Sequence, residues 1–172
     1  MAAASKITVR PATLNDHDHI NALESVLKTR PEPDFTNLLF QSIAAGERSL
    51  FLGFVGDRVA GYVILNWTPT YNMFARLGIP ELQDLNVLPE DRRHGIGAAL
   101  VTACENLAKA RGCSDIGLAV GLTAGYGAAQ RLYVRLGYMP DGQGITYDRQ
   151  IVRPGEMRAA DDDLCLMMVK TL

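Results

Sequence analysis

"NVLPEDRRHGIGAALVTACENLAKARG", Asn86 to Gly112, changes character halfway along. It opens as the apolar end of a strand and stops at Pro89. A charged turn follows, with glycine at Gly95 and Gly97, and then a long run of helical spacing. A helix N-terminus presents backbone N–H groups without intrahelical partners and about half a positive charge. Glycine there lets an anion approach the backbone without striking a Cβ atom. Arg92, Arg93 and His94 add donors beside it. The stretch therefore specifies an anion site, most naturally for a phosphate or pyrophosphate. Ile96, Leu100, Ala103, Cys104 and Leu107 fall on one helix face and anchor it, leaving the first turn open.

The same reading extends in both directions. Upstream, "ITVRPA" (Ile7 to Ala12) is a first strand ended by Pro11, and "TLNDHDHINALESVLK" opens with cap-type residues before a helical face of Ile20, Leu23, Val26 and Leu27. "RPEPD" breaks that helix, and a second helix covers Phe35 to Ala45. "SLFLGFVGDRVAGYVILNW" is a hairpin about Gly56-Asp57-Arg58. "NWTPTYNMFARLGIP" reads as aromatic and irregular, and "ELQDLNVLP" as the fourth strand. Downstream come the strand "SDIGLAVGL", the helix "YGAAQRLYVRLG", a strand within Ile145 to Val152, the loop "RPGEMRAADDD" and the C-terminal strand "LCLMMVKTL". Neither a repeat nor a linker interrupts this order, so a single α/β domain over residues 1–172 is expected.

Composition narrows the function. A formal net charge of −2 supplies no global basic field, so neither nucleic acid nor an anionic membrane surface is an expected partner. No stretch approaches 18 uninterrupted apolar residues, and no apolar h-region precedes Lys6, so a cytoplasmic protein is expected. Cys104, Cys113 and Cys165 form no CxxC pair and no metal-like spacing with histidine. His17 and His19, two apart, do not share a helix face, so no metal is expected.

Taken alone, the GxG pair fits an ordinary strand-to-helix loop as well as a phosphate loop. A Walker loop requires a Gly-Lys absent here, and the Rossmann fingerprint requires a third glycine where Leu100 stands. The flanking residues are more specific. Val87, Pro89, Glu90, Arg92, Gly95 and Gly97 resemble the V-x-P-E-x-R-x-x-G-x-G acyl-CoA signature of the GNAT superfamily of N-acetyltransferases. "AQRLYVRLGY" (Ala129 to Tyr138) resembles that superfamily's second motif, A-x-x-L-Y-x-K-x-G-F. The resemblance implies an α/β (α+β) fold with a central mixed, mostly antiparallel twisted sheet of about six or seven strands. About four helices flank it, and a V-shaped splay separates the fourth and fifth strands.

It also implies residue roles. Arg92, Arg93, His94, Gly95, Ile96, Gly97 and Ala98 would wrap the pyrophosphate of acetyl-CoA, the acyl-donor cosubstrate, with Arg93 standing where glycine is common. Asn86, Val87 and Leu88 would face the pantetheine arm, and Val87 N–H would meet the thioester oxygen. Tyr133 matches the tyrosine that protonates the departing sulfur; its alternative is core packing. Tyr126 stands where the family often has asparagine, so its ring would pack along the cofactor instead. Glu81 and Asp84 are the candidate bases on the fourth strand, Glu81 preferred for its place near the strand's mouth; alternation puts them on opposite faces unless a bulge intervenes. Either one also fits a solvated surface carboxylate.

Trp67, Tyr71 and Phe74 would wall an acceptor pocket, or else cover an edge or dimer contact. "RPEPDF" and Asp161, Asp162 and Asp163 are further acceptor-side candidates, although an acidic run is more often a solvated loop. The expected activity is transfer of an acetyl group to a primary amine of a small molecule or peptide by a direct ternary complex. The alternatives are a non-catalytic acyl-CoA-binding regulatory module and a nucleotide-binding Rossmann domain. An apolar "LCLMMV" terminus is compatible with pairing as a homodimer.

Overall fold

A computed structural model describes residues 6–29 and 34–172; the Arg30 to Pro33 part of the "RPEPDF" break lies outside these. The chain forms two compact units, the first made by residues up to Trp67 with Gln83–Leu107, the second by Thr68–Leu82 with Ala108–Leu172. Among the described residues, eight strands follow the hydrogen-bonded order β1-β2-β3-β4-β5-β8-β6-β7, numbered along the chain.

In the first unit, β1 (Ile7–Pro11), β2 (Arg48–Val55) and β3 (Arg58–Asn66) form an antiparallel meander, with the expected tight turn at Gly56-Asp57. Helices α1 (His17–Leu27) and α2 (Phe35–Ala44) bury Ile20, Leu23, Leu39 and Phe40 against Leu50, Leu52, Tyr62 and Ile64. Asp16 stands at the N-cap of α1, yet its side chain makes no capping bond. It accepts instead from Arg10 Nη1 and Nη2 at 2.9 and 2.7 Å, from Thr13 N and Oγ1, and from His19 Nδ1. His17 stacks on Phe40 at 3.8 Å between ring centroids. The β2–β3 register skips Ala60, and the Ala60 carbonyl accepts from Leu88 N–H at 2.8 Å. The backbone of Asn86 and Val87 then approaches Gly61 so closely that any Cβ there would collide with the Asn86 carbonyl.

In the second unit, the first residues of β4 (Glu81–Val87) pair in parallel with β5 (Asp115–Gly121). The paired positions are Glu81 with Gly117 and Leu82 with Leu118. β5 continues antiparallel to β8 (Leu164–Thr171), and β8 to β6 (Met139–Tyr147), which turns through Asp148-Arg149 into β7 (Gln150–Ile151). The late strand expected within 145–152 is thus two strands, and β6 starts earlier because a four-residue bulge, Asp141 to Gly144, separates its two paired stretches. The segment expected to be irregular contains a short helix, α3 (Asn72–Leu77), ended by Gly78 in the left-handed conformation at φ 67°.

The remaining helices are α4 (Ile96–Ala110) and α5 (Gly127–Arg135), giving five among the described residues where about four were expected. On α4 the buried face is Ile96, Leu100, Val101, Cys104 and Ala108, so Val101 and Ala108 are more deeply covered than Ala103 and Leu107.

Candidate active site

In the first unit, Pro89–Asp91 form one 3-10 turn and Arg92 to Gly95 a loop before α4. The first intrahelical bond runs from Ala99 N–H to the Gly95 carbonyl at 3.0 Å. The amides of Ile96, Gly97 and Ala98 therefore precede the helical ladder, as the first turn of any helix requires. Gly95 has φ 94°, and a Cβ built on it meets nothing within 4 Å, so the space beside this glycine is open. Arg92, Arg93 and His94 are exposed beside it. This donor set suits a doubly charged pyrophosphate diester.

Arg93 has φ 64°, so this arginine occupies the left-handed region in which glycine is strain-free. The conformation costs a β-carbon residue roughly 1–2 kcal/mol. Two contacts hold the loop. Arg92 Nε donates to the Val87 carbonyl at 3.0 Å. Asp91, buried, receives both nitrogens of the Arg58 guanidinium at 2.7 and 2.8 Å, and this keeps its carboxyl below the usual carboxylate range.

The residues expected along the pantetheine arm are more constrained. Leu88 is buried in the first-unit core, with its N–H spent on Ala60. Asn86 Nδ2 donates to Tyr62 Oη at 3.0 Å, and Tyr62 donates to Glu24 Oε1 at 2.7 Å. Burial is the main reason the Tyr62 phenol is pushed above its ordinary value, so it stays protonated. Asp84, half-buried on β4, has φ 52°, a left-handed residue within a strand that breaks the alternation on which the opposite-face expectation rested. Trp67 is half-buried, with Nε1 donating to Ser49 Oγ at 3.0 Å.

In the second unit, Tyr133 is 5% exposed on α5, its ring 5.9 Å from that of Tyr138. The Tyr126 ring lies directly on the Cα of Gly121, close enough to exclude any side chain there, while Gln130 Nε2 donates to the Gly121 carbonyl at 2.8 Å. The end of β5 is thus clamped by both residues.

Glu81 is fully buried, and Arg149 Nη2 binds its Oε1 at 2.8 Å. Its placement near a strand mouth, the basis for preferring it as a base, does not leave it open to a substrate: the guanidinium seals it. Tyr71 and Phe74, read either as pocket walls or as cover for an edge or dimer contact, are both buried. Phe74 is 0% exposed, presses on Gly117 and meets Tyr71 edge-on at 4.9 Å. Tyr71 is 2% exposed and donates to Asp141 Oδ2 at 2.7 Å. Both are core residues of this unit because α3, read as irregular chain, lays them inward. Asp161 accepts from Tyr147 Oη at 2.8 Å on an exposed loop.

A model of the acetyltransferase (GNAT) family matches residues 16–138, well over half the chain. The chain belongs to the GNAT family. No curated protein matches the sequence. Solved structures resemble this GNAT protein in fold. The ribosomal-protein-S18-alanine N-acetyltransferase of Escherichia coli is 18% identical over 96% of this chain and 94% of its own, with a TM-score of 0.68. An acetyltransferase structure from Salmonella typhimurium, solved with its cofactor acetyl-CoA, is 17% identical over 96% and 93%, also at 0.68. Ard1 from Thermoplasma volcanium is 15% identical over 99% of both chains, at 0.69.

Among the described residues of this GNAT chain, no group of three or more His, Cys, Asp or Glu could hold a metal ion. Among the same residues, no helix is long and apolar enough to cross a membrane. Of the predicted site residues, Asp84, Asn86 to Leu88, Arg92 to Ala98 and Trp67 fall in the first unit; Glu81, Tyr71, Phe74, Tyr126 and Tyr133 fall in the second. Arg58, Asp91, Gln130 and Arg149 were missed. Asp91 alone carried a local signal, an acid placed within the turn read as an anion site; the other three are joined to their partners only by folding.

Proposed function

We propose that this GNAT protein transfers an acetyl group from acetyl-CoA to a primary amine of a small molecule by direct attack within a ternary complex. The observation that carries this reading is the first turn of α4, with its amides ahead of the helical ladder and Arg92 beside it, in a stretch that resembles the family's acyl-CoA signature and lies within the matched residues. Acetyl-CoA supplies an activated thioester carbonyl. Ile96, Gly97 and Ala98 N–H with Arg92 hold the pyrophosphate. Val87 N–H is assigned to the charge that develops on the carbonyl oxygen, a contribution of several kcal/mol when such a donor is preorganised.

An alkylamine with pKa near 10.4 pays about 4–5 kcal/mol to be neutral at pH 7, so a base is needed. We assign that role to Asp84, which is half-buried on β4, and give Glu81 the role of holding Arg149 and its turn. Asp84 takes the ammonium proton, the neutral amine adds to the carbonyl, and as the oxyanion collapses the C–S bond breaks. Tyr133 gives its proton to the departing sulfur, and the second proton lost by the newly bonded nitrogen returns through solvent to restore the phenol. Cys104 is buried, and its thiol is pushed well above the ordinary range chiefly by that burial, which disfavours a covalent acyl-cysteine route.

Acetyl-CoA-dependent thiol release tests the reading, using polyamines, amino acids, aminoglycosides, arylamines and short lysine peptides, with the protein's own cysteines subtracted. Release with one small-amine class is expected. Release only with peptides would move the acceptor to proteins. Coenzyme A binding with no release across the panel would refute the enzyme in favour of an acyl-CoA-binding module.

A further inference from the structure

Asp91 places a carboxylate immediately before the loop that awaits an anion, where simple electrostatics would disfavour it. Its setting explains its presence. Both carboxylate oxygens are engaged by the two terminal nitrogens of Arg58, 33 residues away at the start of β3, in a fork that fixes direction as well as charge. Two backbone bonds brace the same segment: Leu88 N–H to the Ala60 carbonyl at 2.8 Å and Asp91 N–H to the Leu88 carbonyl at 2.9 Å. Beyond Asp91, Arg93 is held at φ 64°, a conformation the isolated loop would leave. The brace therefore ends where the strain begins.

We propose that the Arg58–Asp91 pair is a positioning device for the pyrophosphate loop. It holds Arg92 to Gly95 in the shape that leaves the first-turn amides of α4 open, and it cancels a buried negative charge beside them. Neither residue touches the ligand; each acts through the loop. The inference rests on the reading of this loop as the coenzyme A site.

The two halves of the device make an ordered prediction. Arg58→Gln loses the fork and exposes the uncompensated Asp91 charge, so both effects weaken anion binding. Asp91→Asn loses the charged fork but leaves a cation behind, so its two effects oppose. Arg58→Lys keeps the charge without the fork.

Isothermal titration of the full chain with coenzyme A, and separately with inorganic pyrophosphate, reads this directly. Arg58→Gln should raise the Kd of both ligands about tenfold, the scale of one charge-assisted hydrogen bond. Asp91→Asn and Arg58→Lys should each raise it about threefold. The Arg58→Gln deficit should narrow with added salt, as a screened charge effect does and a lost shape does not. A merely structural role would lower the binding stoichiometry or the Tm while leaving Kd alone. Unchanged Kd in Arg58→Gln and Arg58→Lys overturns the proposal; if Arg58→Gln does not fold, Arg58→Lys alone decides. Failure of the unaltered protein to bind coenzyme A would instead refute the function itself.

Discussion

Replacing Glu81 by glutamine tests whether this residue is structural. Glu81 has no exposed side-chain surface, whereas that of Arg149 is 33% exposed, and the two meet at 2.8 Å. Removing one member of a buried ion pair costs about 3–5 kcal/mol because the other charge is stranded. Two features reduce that figure. Arg149 retains access to water, and the glutamine Oε1 can still accept a neutral bond from Nη2. A loss of about 2 kcal/mol is therefore expected, which for a chain of this size lowers Tm by roughly 4–8 °C. The left-handed Asp148-Arg149 turn, at φ 46° and 58°, should loosen with it. Urea unfolding at pH 7 measures the loss. The paired replacement Glu81→Leu with Arg149→Met should recover most of it, since apolar packing often matches a buried ion pair. A Glu81→Gln protein within 0.5 kcal/mol of the parent, or a double variant as unstable as the single one, would refute the reasoning. Activity sharpens the result: Glu81→Gln should keep most of its turnover at permissive temperature, whereas Asp84→Asn should lose roughly a hundredfold. The reverse pattern would return the base to Glu81.

Tyr133→Phe should lower kcat about a hundredfold while leaving the coenzyme A Kd within about twofold, as removal of an acid but not a binding group does. Equal turnover would reduce Tyr133 to core packing. Phe74→Ala should cost about 3–5 kcal/mol in urea unfolding, since its fully buried ring packs on Gly117; a change in acceptor KM without loss of stability would make it a pocket wall after all. The Arg10 guanidinium, followed by Thr13 and His19, holds the Asp16 carboxyl well below its ordinary value against the cost of burial. Because the folded pKa is depressed, the stabilisation is complete above the unfolded pKa near 4 and is lost as pH falls toward the folded one. Asp16→Asn should thus be less stable than the parent at pH 7, with the gap closing below about pH 4. A gap constant from pH 7 to 2 would contradict this.

Local pattern carried much of the architecture. The β2–β3 hairpin lies where Gly56-Asp57 put it, and α4 begins where the charge and glycine pattern changes. The errors have a common physical source. "YNMFARL" has six helical residues, too few for apolar periodicity to emerge, and its helix is held by the burial of Phe74 rather than by propensity. The bulge at Asp141 to Gly144 hid the start of β6, because it interrupts the alternation by which a strand is recognised. Tyr71 and Phe74 could be read equally as pocket walls or as cover for an edge, because an aromatic residue in an apparently irregular segment has the same composition whether it faces a ligand or a core.

What the sequence determined by itself was the local make-up of the loop: glycines at Gly95 and Gly97, arginines before them and a helix after them, the pattern on which the proposed anion site rests, lie only a few residues apart. What only the tertiary structure decided was the state of the charges. Asp91 is neutralised by Arg58 and Glu81 by Arg149, partners 33 and 68 residues distant. Pairing at that range depends on which strands become neighbours, and a buried carboxylate is either reactive or structural according to the one cation that folding places beside it.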